Sequence, residues 1–256
     1  MIAIYLENTQ TALYALQSAF SLSKSLKKEF AIIAFADSEN EAENIRKNVE
    51  NIVGITEFSD AKIIVQNKNL SELSDLCEQL EISFLFIQLS ENRSKSIQKY
   101  LNACRDLRIP YLIYKDSFST LNLEKVLVPV TFLEEEYEKA QFASAFGRFC
   151  NSEICLFPAN DYGSKARTTT EKMANLFDKF ALNYTVEKAE KDSFKVEKET
   201  VAKAEKENFG IVLLSASRDY GLDDTLFGPK ERHLIKKSVV PILLVNPRGD
   251  LYALCD

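Results

Sequence analysis

The feature that most constrains the fold of this chain is an internal repeat. An apolar run at 84–89 leads into Ser90-Glu91-Asn92-Arg93, and a second run at 211–214 leads into Ser215-Ala216-Ser217-Arg218. The two arginines are 125 residues apart, whereas the prolines that open the next apolar run of each half are 131 apart. The spacing predicts two domains of similar build, with about six extra residues inside 219–228 of the second copy.

The length and composition agree with this prediction. A chain of 256 residues is long enough for about two domains. With 46% hydrophobic and 27% charged residues, it has the composition of a globular protein with a real core. We expect domains at 1–120 and 123–248, followed by a tail at 249–256.

Each half alternates short apolar runs with longer stretches of helical periodicity. The runs lie at 2–6, 31–36, 61–65, 83–89 and 110–114 in the first half, and at 126–130, 154–157, 184–187, 211–215 and 241–245 in the second. The helical stretches lie around 13–20, 40–53, 70–80 and 97–107, then around 134–150, 169–180, 194–207 and 229–237. Continuous apolar strands indicate burial on both faces. The sequence therefore predicts an α/β fold of two tandem, doubly wound, Rossmann-like parallel-sheet domains.

The charge distribution argues against nucleic acid as a partner. Each half carries a net charge of −3, half of the total of −6, and the lysines of 188–206 alternate with glutamates as on a solvated helix. Binding to phosphate backbones requires clustered Lys and Arg. No apolar run approaches the roughly 20 residues that span a bilayer, so we expect a cytoplasmic protein with no membrane contact.

The sequence gives little indication of a metal or disulfide site. The five cysteines contain no Cys-x-x-Cys motif, and Cys77 and Cys104 fall in phase with leucines, where a thiol packs as a small hydrophobe. We interpret Glu134-Glu135-Glu136 as solvated carboxylates at a helix start, where the helix dipole favours them. We expect no metal.

The fold class restricts where a ligand can bind. In open parallel sheets, ligands bind beyond the carboxyl ends of the strands, where the strand order reverses. The loops at 7–9, 90–96, 131–134 and 215–228 are therefore the candidate sites.

Several segments of the second half resemble universal stress protein domains. They are Val128-Pro129-Val130, the strand at 211–214, the loop that ends in Phe227-Gly228, and the final strand Pro241-Ile242-Leu243-Leu244-Val245. The first half is similar to a more degenerate copy, so the chain resembles a tandem universal stress protein. Nucleotide-binding members of that family carry Gly-x2-Gly-x9-Gly-(Ser/Thr) after the fourth strand and an aspartate after the first.

The second half departs from this nucleotide motif. Ser215 and Arg218 stand at the first two glycine positions, Gly228 at the third, Pro229 at the Ser/Thr position and Thr131 at the aspartate position. Glycines let backbone N–H groups approach phosphate oxygens closely, which a side chain hinders, and proline lacks both a hydroxyl and an N–H. The resemblance therefore implies a nucleotide site that is weakened or lost in the second half.

The first half departs further from the motif. Glu7 stands at the aspartate position, and no glycine lies near Ser90 or anywhere in 90–96. We expect the ATP site of this half to be lost.

Two features leave alternatives open. Arg93 and Arg218 could hold phosphate or another anion bidentately, or could cap a strand end or pair with a carboxylate such as Asp219. Gly221 and Gly228 could flank a flap over the second site or lie in an ordinary surface loop.

Catalytic motifs are missing from the sequence. His233 is the only histidine and falls in a predicted helix as a surface or boundary residue, and no nucleophile elbow, P-loop or His-Glu-x-x-His motif is present. We expect no enzymatic activity, although weak ATP hydrolysis stays open.

Two functional hypotheses follow. The first is a non-enzymatic stress-response protein that binds a protein partner and needs no cofactor. The second is an ATP, AMP or anion sensor that uses the second half only, through Thr131, Ser215, Arg218, Gly221 and Gly228. The resemblance also implies an internal pseudo-dimer in which the last strands, 110–114 and 241–245, pair across the domain boundary; a further homodimer stays open.

Overall fold

The structure is a computed structural model, which describes residues 1–55, 58, 60–90, 94–217 and 229–247. The chain divides into two compact units, Met1–Leu121 and Asn122–Asp256. The predicted tail at 249–256 lies outside the described residues.

The first unit is a five-stranded parallel sheet with helices. Its strands are β1 (Ile2–Tyr5), β2 (Phe30–Phe35), β3 (Lys62–Gln66), β4 (Phe84–Leu89) and β5 (Tyr111–Lys115). Its helices are α1 (Leu13–Ser25), α2 (Glu39–Ile55), α3 (Leu73–Gln79), preceded by a 3-10 turn at Leu70–Glu72, and α4 (Ser94–Ala103). The strand order is β3-β2-β1-β4-β5, and each neighbouring pair is parallel.

Burial explains why the apolar runs form strands here. Every residue of β1 and β4 is buried. Helix α1 packs on β1 and buries a stripe of small and aliphatic side chains, Ala15, Leu16, Ala19 and Leu22, spaced at three and four residues. Since both faces of the central strands are covered, the continuous apolar runs are satisfied, and the predicted parallel α/β sheet is confirmed.

The second unit has the same strand order. Its strands are β6 (Lys125–Val130), β7 (Glu153–Pro158), β8 (Tyr184–Val186), β9 (Ile211–Ser215) and β10 (Ile242–Val245), in the order β8-β7-β6-β9-β10. Its described helices are α5 (Lys139–Cys150), preceded by a 3-10 turn at Glu134–Glu138, α6 (Lys165–Lys179), α7 (Val196–Lys206) and α8 (Lys230–Lys237). Neighbouring strands are again parallel.

Small differences from the predicted boundaries concern helix starts. The stretch predicted as one helix at 134–150 begins with the 3-10 turn, and α5 itself starts at Lys139. Helix α8 starts at Lys230, with Pro229 as the capping residue before it in extended conformation. Proline suits this position because its fixed φ and missing N–H would interrupt hydrogen bonding deeper in a helix.

The topology places two loops together in each unit. Strand β1 lies beside β4, and β6 lies beside β9. Because parallel strands end at the same edge, the residues directly after β1 lie near those directly after β4, and the residues directly after β6 lie near those directly after β9. In the described part of the chain, no helix has the length and apolar character needed to cross a bilayer.

Candidate ligand site at the carboxyl ends of the central strands

In the first unit, the structure brings together two predicted site residues, Glu7 and Ser90. The Glu7 carboxylate, through Oε2, accepts hydrogen bonds from the backbone N–H of Ser90 at 2.9 Å and from the Ser90 hydroxyl at 2.7 Å. A carboxylate oxygen held by an N–H and an O–H makes the contacts that a ligand phosphate oxygen would make. The chain's own glutamate therefore occupies both donors of Ser90.

A buried glutamine, Gln88, forms hydrogen bonds with the polar groups around Glu7. The Gln88 side-chain oxygen accepts the backbone N–H groups of Glu7 at 2.9 Å and Asn8 at 2.8 Å. Its Nε2 donates to Thr11 Oγ1 at 3.1 Å and to the two Asp116 carboxylate oxygens at 2.8 and 3.0 Å. Gln88 is completely buried, so it fixes the loop after β1 through direct bonds to three segments. The sequence analysis missed it, although a polar residue inside the apolar run at 84–89 was a usable signal.

Replacing Gln88 with methionine tests this role. We expect the free energy of unfolding to fall by at least about 2 kcal/mol, because two backbone N–H groups and Asp116 lose their partner and each buried unpaired group costs about 1–3 kcal/mol. Urea unfolding followed by far-UV circular dichroism measures the change. The exposed Gln79 supplies the control substitution, Gln79→Met. Equal stabilities of the two variants would contradict this role.

In the second unit, the predicted residue Thr131 is buried and already bonded. Its backbone N–H donates to Glu136 Oε2 at 3.1 Å, and its hydroxyl oxygen accepts the N–H of Leu133 at 3.3 Å. The position that would hold the aspartate of a nucleotide site is thus engaged by the 3-10 turn that follows β6.

Glu136 is buried, which corrects the expectation of a solvated carboxylate. Glu136 and Lys139 are each 1% exposed, and Lys139 Nζ lies 2.6 Å from Glu136 Oε2. The ammonium group also donates to the carbonyl of Pro129 at 2.5 Å. A buried charge is tolerated only when it is paired and hydrogen-bonded. Lys139 and the Thr131 N–H supply these partners, which is why the carboxylate turns inward.

The end of β9 repeats the arrangement found after β4. Ser215, a predicted site residue, is buried at the last position of β9 and pairs with Val245 of β10. Two residues later, Ser217 donates its backbone N–H at 2.5 Å and its hydroxyl at 2.7 Å to Glu231 Oε1. Glu231 lies in the first turn of α8 and is 1% exposed. A glutamate therefore occupies the donors of a serine after the fourth strand of each unit.

A second ion pair lies beside this site. Glu197, at the start of α7, accepts Lys230 Nζ at 2.9 Å. Burial raises the pKa of Glu197, against the opposing effect of Lys230, and Glu136 is close enough to raise this pKa further. Burial lowers the pKa of Lys230, but Glu197, Glu231 and Glu136 together raise it by more, so that pKa is raised on balance. Glu136, Glu197 and Glu231 thus give the described part of the site three buried carboxylates.

Four predicted site residues lie outside the described residues: Arg93, Arg218, Gly221 and Gly228. The hypotheses of guanidinium contacts to an anion and of a flap between the glycines stay predictions.

Other residues singled out in the sequence are placed by the structure. His233 is exposed on α8, as predicted, and Cys77 and Cys104 are buried among apolar side chains. Burial raises the pKa of the Cys77 thiol to about 12. Within the described ranges, no group of three or more His, Cys, Asp or Glu side chains is arranged to hold a metal ion.

The fold is similar to that of several solved structures. A universal stress protein from Archaeoglobus fulgidus DSM 4304 matches with a TM-score of 0.70 and 14% identity over 97% of each chain. A protein described as a putative universal stress protein from Pseudomonas aeruginosa UCBPP-PA14 matches with a TM-score of 0.64 and 11% identity, over 98% of this chain and 94% of that one. The cytoplasmic domain of a prokaryotic cation chloride cotransporter matches with a TM-score of 0.60 and 14% identity over 98% of each chain.

Sequence comparison adds no relative. No protein-family model matches the chain, and no curated protein matches it at a significant level. At 11–14% identity, the structural matches establish the fold, an α/β parallel sheet of the universal stress protein type.

Proposed function

We propose that this chain is a non-enzymatic, cytoplasmic stress-response protein of the tandem universal stress type, which acts by binding a protein partner and has lost the nucleotide site. The observation that carries the proposal is the pair of contacts Glu7–Ser90 and Glu231–Ser217. In each unit the N–H and O–H donors after the fourth strand already hold a carboxylate.

Physical reasons make displacement of these carboxylates by phosphate unfavourable. A phosphate at Ser217 would leave the buried Glu231 without its donors, and an unpaired buried charge is strongly destabilising. Lys139 and Lys230 are already paired with Glu136 and Glu197, so neither ammonium group is available to an incoming anion. In the first unit, Gln88 already takes the N–H groups of the loop after β1.

Exposed aromatic residues on the second unit support a protein partner. Tyr162 and Phe194 are the most exposed of the large apolar side chains in the described residues, and the Phe194 ring lies 5.7 Å from that of Phe132. Hydrogen bonds hold the loops that carry them. Ser193 donates its backbone N–H and its hydroxyl to the Asp161 carboxylate, and the Ser193 hydroxyl oxygen accepts the Phe132 N–H at 2.8 Å. Rigid exposed apolar groups of this kind are typical of interaction surfaces.

One structural match is consistent with such a role. The cytoplasmic domain of a cation chloride cotransporter is, by its description, one part of a larger protein. A fold that serves as a domain of another protein need not be an enzyme, and function depends on the sites that the fold carries.

Calorimetry of the full chain with ATP, ADP and AMP tests the proposal. We expect no binding heat at millimolar nucleotide, because the N–H and O–H donors of Ser90 and Ser217 already hold a carboxylate. Heat that is lost in Arg218→Ala and kept in Arg167→Ala would overturn the proposal in favour of the sensor that uses the second unit. Arg167 is a suitable control because it is exposed and pairs with Glu171 on α6.

A further inference from the structure

A cluster of three exposed side chains on the second unit forms what we call the arginine–aromatic surface: Arg148, Phe149 and Phe180. The Arg148 guanidinium carbon lies 5.3 Å from the centre of the Phe149 ring and 4.7 Å from that of Phe180. Phe149 is 46% exposed and Phe180 is 44% exposed. The cation therefore lies against two aromatic rings that are both exposed to solvent.

The sequence brings these side chains together at the ends of two helices. Arg148 and Phe149 lie in the last turn of α5, and Phe180 directly follows α6. Gly147 permits Ile154 and Leu182 to pack closely against α5, since a Cβ at position 147 would lie 3.2 Å from Ile154 and 3.3 Å from both methyl carbons of Leu182. Gly147 thus lets the end of α5 lie against β7 and the residues that follow α6.

No ion pair within the described part of the chain neutralises the charge of Arg148. The ion pairs formed by the described residues do not include Arg148. The carboxylate of Asp178 accepts the hydroxyl of Tyr184 at 2.9 Å, and the exposed Lys179 that follows it carries the opposite charge, so these two residues offset each other. The surface is apolar and cationic.

We propose that the arginine–aromatic surface is the docking site for a protein segment that carries an Asp or Glu carboxylate beside an apolar side chain. This inference rests on the proposed function and specifies the chemistry of the partner. A guanidinium that is held against aromatic rings keeps its N–H edge available, and that edge binds a carboxylate bidentately. Phe149 and Phe180 supply the apolar contact area, and arginine and aromatic residues dominate the binding energy of many interfaces.

Charge complementarity distinguishes this surface from the aromatic pair Tyr162 and Phe194. Around Phe194, the lysines Lys191 and Lys195 alternate with the acidic residues Glu190 and Asp192, so that loop does not select a partner by charge. At Arg148 the available charge is positive, and a partner segment with a carboxylate is the complement.

A carboxylate is favoured over a phosphate backbone as the bound group. Binding to nucleic acid uses several clustered cations, and the arginine–aromatic surface presents one, Arg148, in a half of net charge −3. One guanidinium against two rings matches one carboxylate with an adjacent apolar side chain.

Selection from a phage-displayed library of 12-residue peptides on the full chain tests the proposal. We expect enriched peptides with Asp or Glu next to an aromatic or aliphatic residue. Synthetic versions, measured by fluorescence anisotropy, should bind Arg148→Glu at least about tenfold more weakly than the wild type. They should bind Arg167→Glu, a charge reversal at another exposed arginine of the unit, with unchanged affinity. Circular dichroism of both variants checks that they fold.

Several outcomes would overturn the proposal. These are enriched peptides without acidic residues, undiminished binding to Arg148→Glu, stronger binding when phosphoserine replaces the acidic residue, and no enriched peptide at all. Undiminished binding to Arg148→Glu would leave a protein-binding function intact and refute only this site. Nucleotide binding in the calorimetry would instead refute the proposed function, so the two failures are distinguishable.

Discussion

Replacing Lys139 with methionine is expected to lower the free energy of unfolding by about 3–5 kcal/mol, because it leaves a buried carboxylate without its counterion. Glu136 would keep only the Thr131 N–H as a described partner, and the Pro129 carbonyl would lose its ammonium donor. Methionine retains most of the volume of the lysine stem, so the loss reports the charge and its hydrogen bonds rather than a cavity.

A double variant distinguishes the effect of the ion pair on stability from the effect of side-chain packing. Adding Glu136→Gln removes the buried negative charge while an amide oxygen can still accept the Thr131 N–H, and replacement of both partners of a buried pair is often close to neutral. The double variant should therefore regain most of the stability lost in Lys139→Met. Urea unfolding of both variants, followed by tyrosine fluorescence and far-UV circular dichroism, measures the recovery.

An exposed ion pair provides the control for this experiment. Lys47 and Glu43 form an i,i+4 pair at 2.8 Å on α2, and both side chains are more than half exposed. Lys47→Met should change the stability by at most about 0.5 kcal/mol, as exposed helix pairs do. If Lys139→Met is as mild as Lys47→Met, the pair Lys139–Glu136 is not buried in solution.

The fold was predictable because its main determinant is visible in the sequence. Strands that are buried on both faces appear in the sequence as continuous apolar runs such as 211–215. The helices between them appear as apolar residues spaced three and four positions apart. The parallel sheet in each unit follows from this alternation. Helix boundaries were less predictable. The 3-10 turn at Glu134–Glu138 and the cap at Pro229 depend on local hydrogen bonds and backbone angles, which the spacing of apolar residues does not indicate.

The contacts at the carboxyl ends of the central strands were less predictable than the strands themselves. Glu7 and Ser90 were both singled out, yet their contact depends on how the loops after β1 and β4 fold over each other. The sequence predicts a solvated Glu136 because adjacent glutamates at a helix start usually are solvated, whereas the structure buries it beside Lys139. Glu231 carried no sequence signal, because nothing in the pattern says that the first turn of α8 faces Ser217.

Replacing Gly210 with alanine is the other substitution for which we expect a large effect. A Cβ at this position would lie 1.7 Å from the backbone oxygen of Asn122 and 2.6 Å from its carbonyl carbon, so one of the two chain segments must move. Gly210 directly precedes β9, and its N–H donates to the carbonyl of Lys125 at 3.0 Å. The absence of a side chain at Gly210 therefore allows the start of β9 to pack closely against the segment that leads into β6.

The displacement should weaken the pairing that holds the second candidate site. Ile211 and Val212 lie beside Val126 and Leu127 of β6, and these strands end at Ser215 and Val130. We expect the free energy of unfolding to fall by about 3 kcal/mol or more, since the obstacle is backbone and not a flexible side chain. The corresponding decrease in Tm, measured by thermal unfolding, should be roughly 6–12 °C.

Gly54→Ala is the matched control, because the same methyl group meets no atom within 4 Å on the exposed side of α2. Alanine is favoured over glycine inside a helix by about 1 kcal/mol, so this variant should be as stable as the wild type or more stable. Opposite signs for the two glycine substitutions would show that close approach of Asn122, and not the loss of glycine flexibility, makes position 210 intolerant. A Gly210→Ala variant as stable as Gly54→Ala would contradict the close approach of these two segments and, with it, the register in which β9 meets β6.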